Sequence, residues 1–195
     1  DITRQFTEPC REFICGTDNL GRDLFSRLLY GGRVSLMVGF FSAFTAAFFG
    51  VILGAIAAFY GKKVDNIIMR FLDIFMALPQ TLLAIVIAAM IGTGIKGAVI
   101  AVTVATIPRY AQAVRGPILA IRNQEFVEAA VALDAKDSRI ILKHILPNVL
   151  SPIIVQVTMG VGSAITMAAS LSFLGLGIQP PHPEWGALLS ASRNY

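Results

Sequence analysis

The chain has 195 residues, of which 55% are hydrophobic and only 14% are charged, and its mean hydropathy is +0.71. Soluble domains average about 25% charged residues, so this composition excludes an ordinary soluble domain and favours a protein embedded in lipid. The net charge of +4 comes from lysines and arginines that mostly stand singly beside apolar segments. Such flanking charges are typical of membrane helices, and they exclude a nucleic-acid-binding domain, which clusters its basic residues.

The first 33 residues are polar and predict an interfacial segment that precedes the first membrane span. Within them, residues 18–30 predict a short amphipathic helix that ends before Gly31 and Gly32. Cys10 and Cys15 are compatible either with a disulfide, which requires an oxidising compartment, or with two free thiols. The chain opens without a methionine or a basic-then-apolar signal region, so we interpret it as a fragment of a longer protein.

Four apolar runs predict membrane-spanning helices at residues 34–60, 74–95, 97–114 and 150–176. A helix needs about 20 apolar residues to cross the hydrocarbon core. Small residues recur every four positions in the first and last of these runs, and such stripes let two helices approach closely in lipid. The predicted packing residues are Ala46, Gly50, Gly54, Ala58, Gly160, Ala164 and Ala168.

Two of the apolar runs are interrupted. Pro79 lies within the second run, and Pro108 with Arg109 breaks the third. An arginine near a span must face protein, water or the lipid interface. Arg109 therefore either extends its side chain to the headgroups or faces a pore. Just before the second run, Arg70 and Asp73 have the helical spacing of an ion pair.

The sequence carries no motif for catalysis. It has no glycine-rich phosphate loop and no metalloprotease or hydrolase signature, so we expect no catalytic residue, no metal ligand and no cofactor of its own. The apolar runs contain almost no ionisable side chains, whereas carriers driven by protons or sodium usually need some at mid-membrane. Energy for transport is therefore expected from another protein.

The long polar stretch at residues 115–147 predicts two short helices joined by a turn. The first contains Glu128 to Leu133, whose alanines leave a low surface against which a partner could pack. Asp137 or Ser138 is predicted to cap the second helix, which runs toward Pro147. By itself this pattern is also typical of an ordinary connector between two spans.

The motifs of this stretch identify a family. Glu128-Ala129-Ala130, followed at the appropriate separation by Ile145-Leu146-Pro147, resembles the EAA loop of the permeases of ATP-binding-cassette (ABC) importers. Gly16-Thr17-Asp18 and the run from Ser170 to Gly177, with Gln179-Pro180-Pro181 after it, resemble the C-type subunit of the dipeptide, oligopeptide and nickel permeases. The resemblance covers nearly all of residues 16–190.

The resemblance implies an all-α transmembrane protein with the fold of MetI-like importer permeases, in the bacterial cytoplasmic membrane. It implies six spans, of which this chain holds the second to the fifth, with residues 1–33 outside the cell and the transmembrane domain at 34–195. The EAA loop at 115–147 is expected to face the cytoplasm and to dock on an ATPase subunit. The coupling residues that it implies are Glu128, Ala129, Ala130, Leu133, Asp134, Ile145, Leu146 and Pro147.

The implied partners are two ABC ATPase subunits, which use the ATP, a second permease subunit of the B type, an extracytoplasmic solute-binding protein and membrane lipid. The implied function is the translocation of dipeptides or oligopeptides by alternating access. Alternatives are a nickel or glutathione importer of the same family, or a secondary transporter that acts alone. The last would have no use for a docking loop.

One position departs from the family pattern. Asp134 stands where the family has a glycine, which would permit a left-handed backbone conformation after a helix. Either Asp134 adopts that conformation with some strain, or the first short helix continues further.

Overall fold

A computed structural model describes residues 2–179 and 181–193. Pro180, which belongs to the predicted Gln179-Pro180-Pro181 motif, lies outside the described residues. The described part is helical and contains no β-strand. Its α-helices are α1 (Leu24–Tyr60), α2 (Lys62–Met76), α3 (Gln80–Ile91), α4 (Ile95–Ile121), α5 (Glu125–Ala132), α6 (Asp137–Arg139), α7 (Leu150–Phe173) and α8 (Trp185–Ser192). A π-helical segment (Ile140–Ile145) and a 3-10 turn (Leu146–Val149) connect α6 to α7.

Helix α1 is longer than the sequence predicts. It begins at Leu24, where the carboxylate of Asp23 accepts a 3.0 Å hydrogen bond from the backbone N–H of Ser26 and so caps the helix. The short amphipathic helix predicted at residues 18–30 is therefore wrong, because Gly31 and Gly32 continue the helix. Both glycines are buried beneath Glu184 and Trp185, so they provide close approach for α8 and not a break.

The small-residue stripe of α1 lies against α4. Ala46, Gly50, Gly54 and Ala58 are all buried, and a side chain added at Gly54 would overlap the backbone of Ala111. This close approach increases dispersion contacts between the two backbones, which matters in lipid because no hydrophobic force drives helices together there.

Helices α2 and α3 meet at a sharp bend of 84°. The break falls just before α3 at Pro79, which lacks a backbone N–H and disfavours helical conformation in the preceding residue. On α2, the predicted ion pair between Arg70 and Asp73 is wrong, since the two are not paired among the ion pairs of the described residues.

Helix α4 runs without interruption from Ile95 to Ile121, although it contains Pro108 and Pro117. The predicted break at Pro108 is therefore wrong. Pro108 is buried within the helix bundle, where packing on α1, α3 and α7 holds the helix together and tolerates one missing backbone hydrogen bond.

Two apolar clusters hold the bundle together. The first joins α1, α3, α4 and α7 and is built mainly from alanines. The second joins the C-terminal ends of α1 and α4 to the connector between α4 and α7. Outside them, α1 exposes a row of phenylalanines, Phe40, Phe41, Phe44, Phe48 and Phe49, which suits contact with lipid. Within the described residues, α1, α4 and the continuous helical stretch Asp137–Phe173 are long and apolar enough to cross a membrane, and the bent pair α2–α3 can form a fourth span. The limits of the spans stay a prediction.

Candidate functional site

The connector between α4 and α7 forms the site that the sequence motifs single out. Helix α5 buries Val127 and Ala130 against Ile140 and Ile145 of the following turn. Its other face leaves Glu128 open to solvent. The connector is thus a small packed unit with one free face, and not an extended loop.

A left-handed residue ends α5. Asp134 has φ 54°, and the backbone N–H of Ala135 donates a 3.1 Å hydrogen bond to the carbonyl of Ala130, while that of Asp134 donates a 2.9 Å bond to Val131. This is the Schellman arrangement, in which glycine usually occupies the left-handed position. Of the two possibilities for Asp134, the structure has the strained turn and not the longer helix.

The start of α6 differs from the prediction. Lys136 precedes the helix without a side-chain hydrogen bond, so neither Asp137 nor Ser138 caps it. The carboxylate of Asp137 instead accepts a 2.9 Å hydrogen bond from the hydroxyl of Tyr60, at the C-terminal end of α1. This contact ties the connector directly to the first long helix.

An open groove of about 770 Å³ lies between α5 and α6. Leu133 borders it with 83% of its surface exposed, which is unusual for a leucine beside a packed unit. The groove is lined by Phe126, Ala129, Ala130, Leu133, Asp134, Ala135, Lys136, Ser138, Arg139 and His144. Its apolar floor and charged rim are typical of a surface that receives another protein.

The predicted coupling residues fall into two groups. Glu128, Ala129, Leu133, Asp134 and Pro147 are exposed, whereas Ala130 and Ile145 are buried and Leu146 is half-buried. Only the exposed group is free to contact a partner. The buried group fixes the shape of the connector, a distinction that the sequence motif does not reveal.

Two arginines near the connector hold the end of α4 against α2 and α1. Arg115 on α4 forms a bidentate pair with Asp65 on α2, with Nε to Oδ1 at 2.6 Å and Nη2 to Oδ2 at 2.5 Å. Arg122 donates a 2.8 Å hydrogen bond to the carbonyl of Ala58. Such charge-assisted contacts are directional, so the end of α4, from which the connector begins, is held in a fixed position relative to α1 and α2.

The opposite end of the bundle contains a buried carboxylate that sequence reasoning missed. Glu184 is 1% exposed; it accepts hydrogen bonds from the hydroxyl of Ser35 at 3.1 Å and the backbone N–H of Ala187 at 3.0 Å. Trp185 donates from its indole to the carbonyl of Leu28 at 3.0 Å. These contacts fasten α8 to α1, and no spacing in the sequence indicates that they would meet.

The segment before α1 is organised by Asp18. Its carboxylate accepts from the guanidinium of Arg22 at 2.7 Å and lies 3.6 Å from Arg27. Partial burial alone would raise the pKa of Asp18, but hydrogen bonds from the backbone of Arg22 and Leu20 and from the Arg22 side chain outweigh it, so the pKa lies below its ordinary value. In the same segment, Cys10 and Cys15 are free, exposed thiols.

Within the described residues, no group of histidine, cysteine, aspartate and glutamate side chains is arranged to hold a metal ion. The described part is a closely packed helical bundle with α8 fastened at one end and the protruding connector at the other, and several of its helices are long and apolar enough to cross a membrane. The fold is therefore that of a helical membrane protein.

Comparison with protein families identifies the class further. Residues 50–193 match the family described as binding-protein-dependent transport system inner membrane component, and the chain belongs to this family. The predicted family and the multi-pass membrane location are confirmed. The family consists of transport components and not of enzymes.

Curated relatives narrow the subfamily. The chain is 49% identical over 187 residues to the dipeptide transport system permease protein DppC of Alkalihalophilus pseudofirmus, a match that covers 96% of this chain and 62% of that protein. It is 48% identical over 185 residues to the glutathione transport system permease protein GsiD of Escherichia coli O157:H7, covering 95% of this chain and 61% of that one. The chain therefore spans about three fifths of the length of these relatives.

Solved structures support the fold. One chain of the MetNI methionine ABC transporter, in an inward-facing conformation, superposes with a TM-score of 0.71 at 21% sequence identity, covering 80% of this chain and 77% of that one. The predicted all-α fold of MetI-like permeases is confirmed.

Proposed function

We propose that this chain is the core of a permease subunit of an ABC importer that carries peptides across the bacterial cytoplasmic membrane. The dipeptide and glutathione permeases that it resembles at nearly half of all positions support this assignment. Dipeptides and glutathione are both small peptides. The sequence identities to the two relatives are nearly equal, so they do not favour one solute over the other. Glutathione therefore stands beside dipeptides as a second candidate solute. Neither of these two relatives is a nickel importer.

The single observation that carries the coupling part of this proposal is the exposed groove between α5 and α6. Its exposed Leu133 and the low side chain of Ala129 offer an apolar surface to a partner, and Glu128 adds a charge at its edge. We assign this surface to the ATPase subunits, of which two are expected, one for each permease subunit. A second permease of the B type and an extracytoplasmic binding protein complete the importer.

The mechanism follows from the mechanical links of the connector. ATP-driven closure of the ATPase dimer moves the two connectors. Because α5 packs on Ile140 and Ile145, it moves as a unit with the start of α7. The hydrogen bond from Tyr60 to Asp137 transmits the same motion to α1. The spans then tilt and expose the solute path to the opposite side of the membrane.

Site-specific crosslinking tests the docking surface. With Cys10→Ser and Cys15→Ser as background, Ala129→Cys should crosslink to an ATPase subunit in membranes that contain the whole importer. The matched control is Met90→Cys near the C-terminal end of α3, where Met90 is 81% exposed. This cysteine should not crosslink to the ATPase. An importer that transports but never crosslinks from position 129 would show that the groove does not receive the ATPase.

Uptake and ATP hydrolysis test the transport function. The complete importer in proteoliposomes should hydrolyse ATP faster when the loaded binding protein is added, and should accumulate labelled dipeptide or glutathione. Absence of both responses in an assembled complex would refute the proposed function.

A further inference from the structure

Arg109 is a charged side chain on α4 for which the described residues offer no ion-pair or hydrogen-bond partner. It lies within α4, is exposed, and makes no ion pair or hydrogen bond with another described residue. By contrast, Arg115, at the inner end of the same helix, is neutralised by Asp65. An unpaired charge at membrane depth must face water, protein, a ligand or the lipid headgroups, because the hydrocarbon does not solvate it.

The depth of Arg109 follows from helix lengths. Helix α3 has 12 residues, so it extends about 18 Å inward from the turn that joins it to α4. Arg109 lies about 21 Å along α4 from the same turn, at 1.5 Å per residue. Lys96, exposed beside that turn, suits the outer interface. Arg109 and the start of α3 therefore lie at similar depth, and with the turn placed at the outer edge of a hydrocarbon core of about 30 Å both fall within that core.

Arg109 borders a cavity of about 290 Å³ at the bend between α2 and α3. Gln80 lines the same cavity, which is otherwise walled by apolar side chains and by Pro79 and Pro108. The side chains of Arg109 and Gln80 both supply N–H donors there. Pro79 separates α2 from α3, which bend by 84° at this point. The bend leaves the space between α3 and α4 in which a ligand could bind.

We propose that Arg109 and Gln80 form a binding site for the carboxylate of the solute during its passage through the permease. A guanidinium donates two parallel hydrogen bonds to a carboxylate, and the Gln80 amide adds a third donor. Every peptide with a free C-terminus carries this group. The assignment rests on the proposed function and extends it, since it names the chemical group that the membrane subunit recognises.

Charged thiol reagents test the site without knowledge of the solute. The complete importer, with Cys10→Ser and Cys15→Ser, carries the reporter Met76→Cys at the edge of the cavity and is placed in phosphatidylcholine nanodiscs. After correction for reactivity with a free thiol, an anionic methanethiosulfonate should react about tenfold faster than a cationic one because of the nearby positive charge. Arg109→Gln should abolish this preference, and the control Arg70→Gln, which removes an exposed arginine of α2, should not.

Competition identifies the ligand chemistry. Acetate should slow the anionic reagent, whereas acetamide, its neutral analogue, should not. An unreactive thiol, or an anion preference that survives Arg109→Gln, would overturn the proposal. So would a preference that disappears when phosphatidylglycerol is added, because a lipid headgroup would then be the ligand of Arg109.

Transport measurements separate this inference from the function on which it rests. Arg109→Gln should lower uptake at least tenfold, with Arg109→Lys partly restoring it, while stimulation of ATP hydrolysis by the loaded binding protein persists. Normal uptake by Arg109→Gln would refute the carboxylate site alone. A wild-type importer without stimulated ATP hydrolysis or uptake would refute the proposed function. The faster reaction of the anionic thiol reagent would then still show whether Arg109 forms an anion-binding site.

Discussion

The hydroxyl of Tyr60, the last residue of α1, donates a 2.9 Å hydrogen bond to Oδ2 of Asp137, the first residue of α6. The two residues are 77 positions apart, and their contact joins the first long helix to the proposed coupling surface. Both lie at the surface, so the bond has a modest value for stability. Because the bond joins α1 directly to α6, it can transmit a movement of the connector to α1.

Breaking this bond should reduce coupling more than stability. Tyr60→Phe removes only the hydroxyl of an exposed side chain, so we expect only a small fall in the free energy of unfolding. Transport per ATP hydrolysed should fall in the importer. A double-mutant cycle with Asp137→Asn measures the coupling energy of the pair, and additive effects of the two changes would show that the bond does not form.

Gly54 should not accept a large side chain. Gly54→Leu would force α1 away from the backbone of Ala111, and overpacking of this kind costs about 1–3 kcal/mol or more. We expect a clear fall in the melting temperature of the purified subunit. Gly162→Leu on α7 is the matched control, because nothing lies within 4 Å of a side chain there. Equal melting temperatures for the two variants would mean that the α1–α4 packing is looser than described.

Adjacent alanines in α5 should respond differently to the same change. Ala129 is exposed, so Ala129→Trp should leave the subunit folded and inserted while ATP-dependent uptake falls sharply. Ala130 is only 7% exposed, so Ala130→Trp should lower the melting temperature of the subunit by itself. Glu128→Lys, at an exposed position, should behave like Ala129→Trp. If Ala129→Trp imports at the normal rate, position 129 is not part of the interface.

The pair of Asp65 and Arg115 should tolerate exchange better than removal. Asp65→Asn leaves Arg115 without its bidentate acceptor, and because the pair is partly exposed we expect a loss of about 1–2 kcal/mol, less than for a fully buried pair. Asp65→Arg combined with Arg115→Asp should recover part of this loss in thermal unfolding. A single variant as stable as the wild type would show that the pair contributes nothing.

The cap of α1 should weaken in acid. Hydrogen bonds from the side chain and backbone of Ser26 lower the pKa of Asp23 below its ordinary value. Its contribution to stability is therefore complete above the unfolded pKa of about 3.9 and is lost as the pH falls through the lower folded value. The protection factor against hydrogen exchange at the first turn of α1 should fall below about pH 4. In Asp23→Asn, which caps without ionising, the same protection factor should not depend on pH in this range.

The class of the protein and the location of its connector follow from the amino-acid sequence alone. Uncharged runs long enough to span a bilayer leave few alternatives to a membrane helix bundle. Glu128-Ala129-Ala130 and Ile145-Leu146-Pro147 mark the connector because their spacing lies within one short segment. The small residues at Gly50 and Gly54 likewise predict a close helix contact, because any larger side chain would prevent it.

The residues that meet across the bundle cannot be identified without the three-dimensional packing of the helices. Gly31 and Gly32 look like helix breakers in sequence, yet α8 packs on them and the helix continues. Pro108 looks like a break, yet neighbouring helices hold α4 together around it. The burial of Glu184 under Ser35 and the cavity shared by Gln80 and Arg109 depend on contacts between distant segments. Local sequence patterns record the periodicity of each helix, but they do not record which faces of different helices come together.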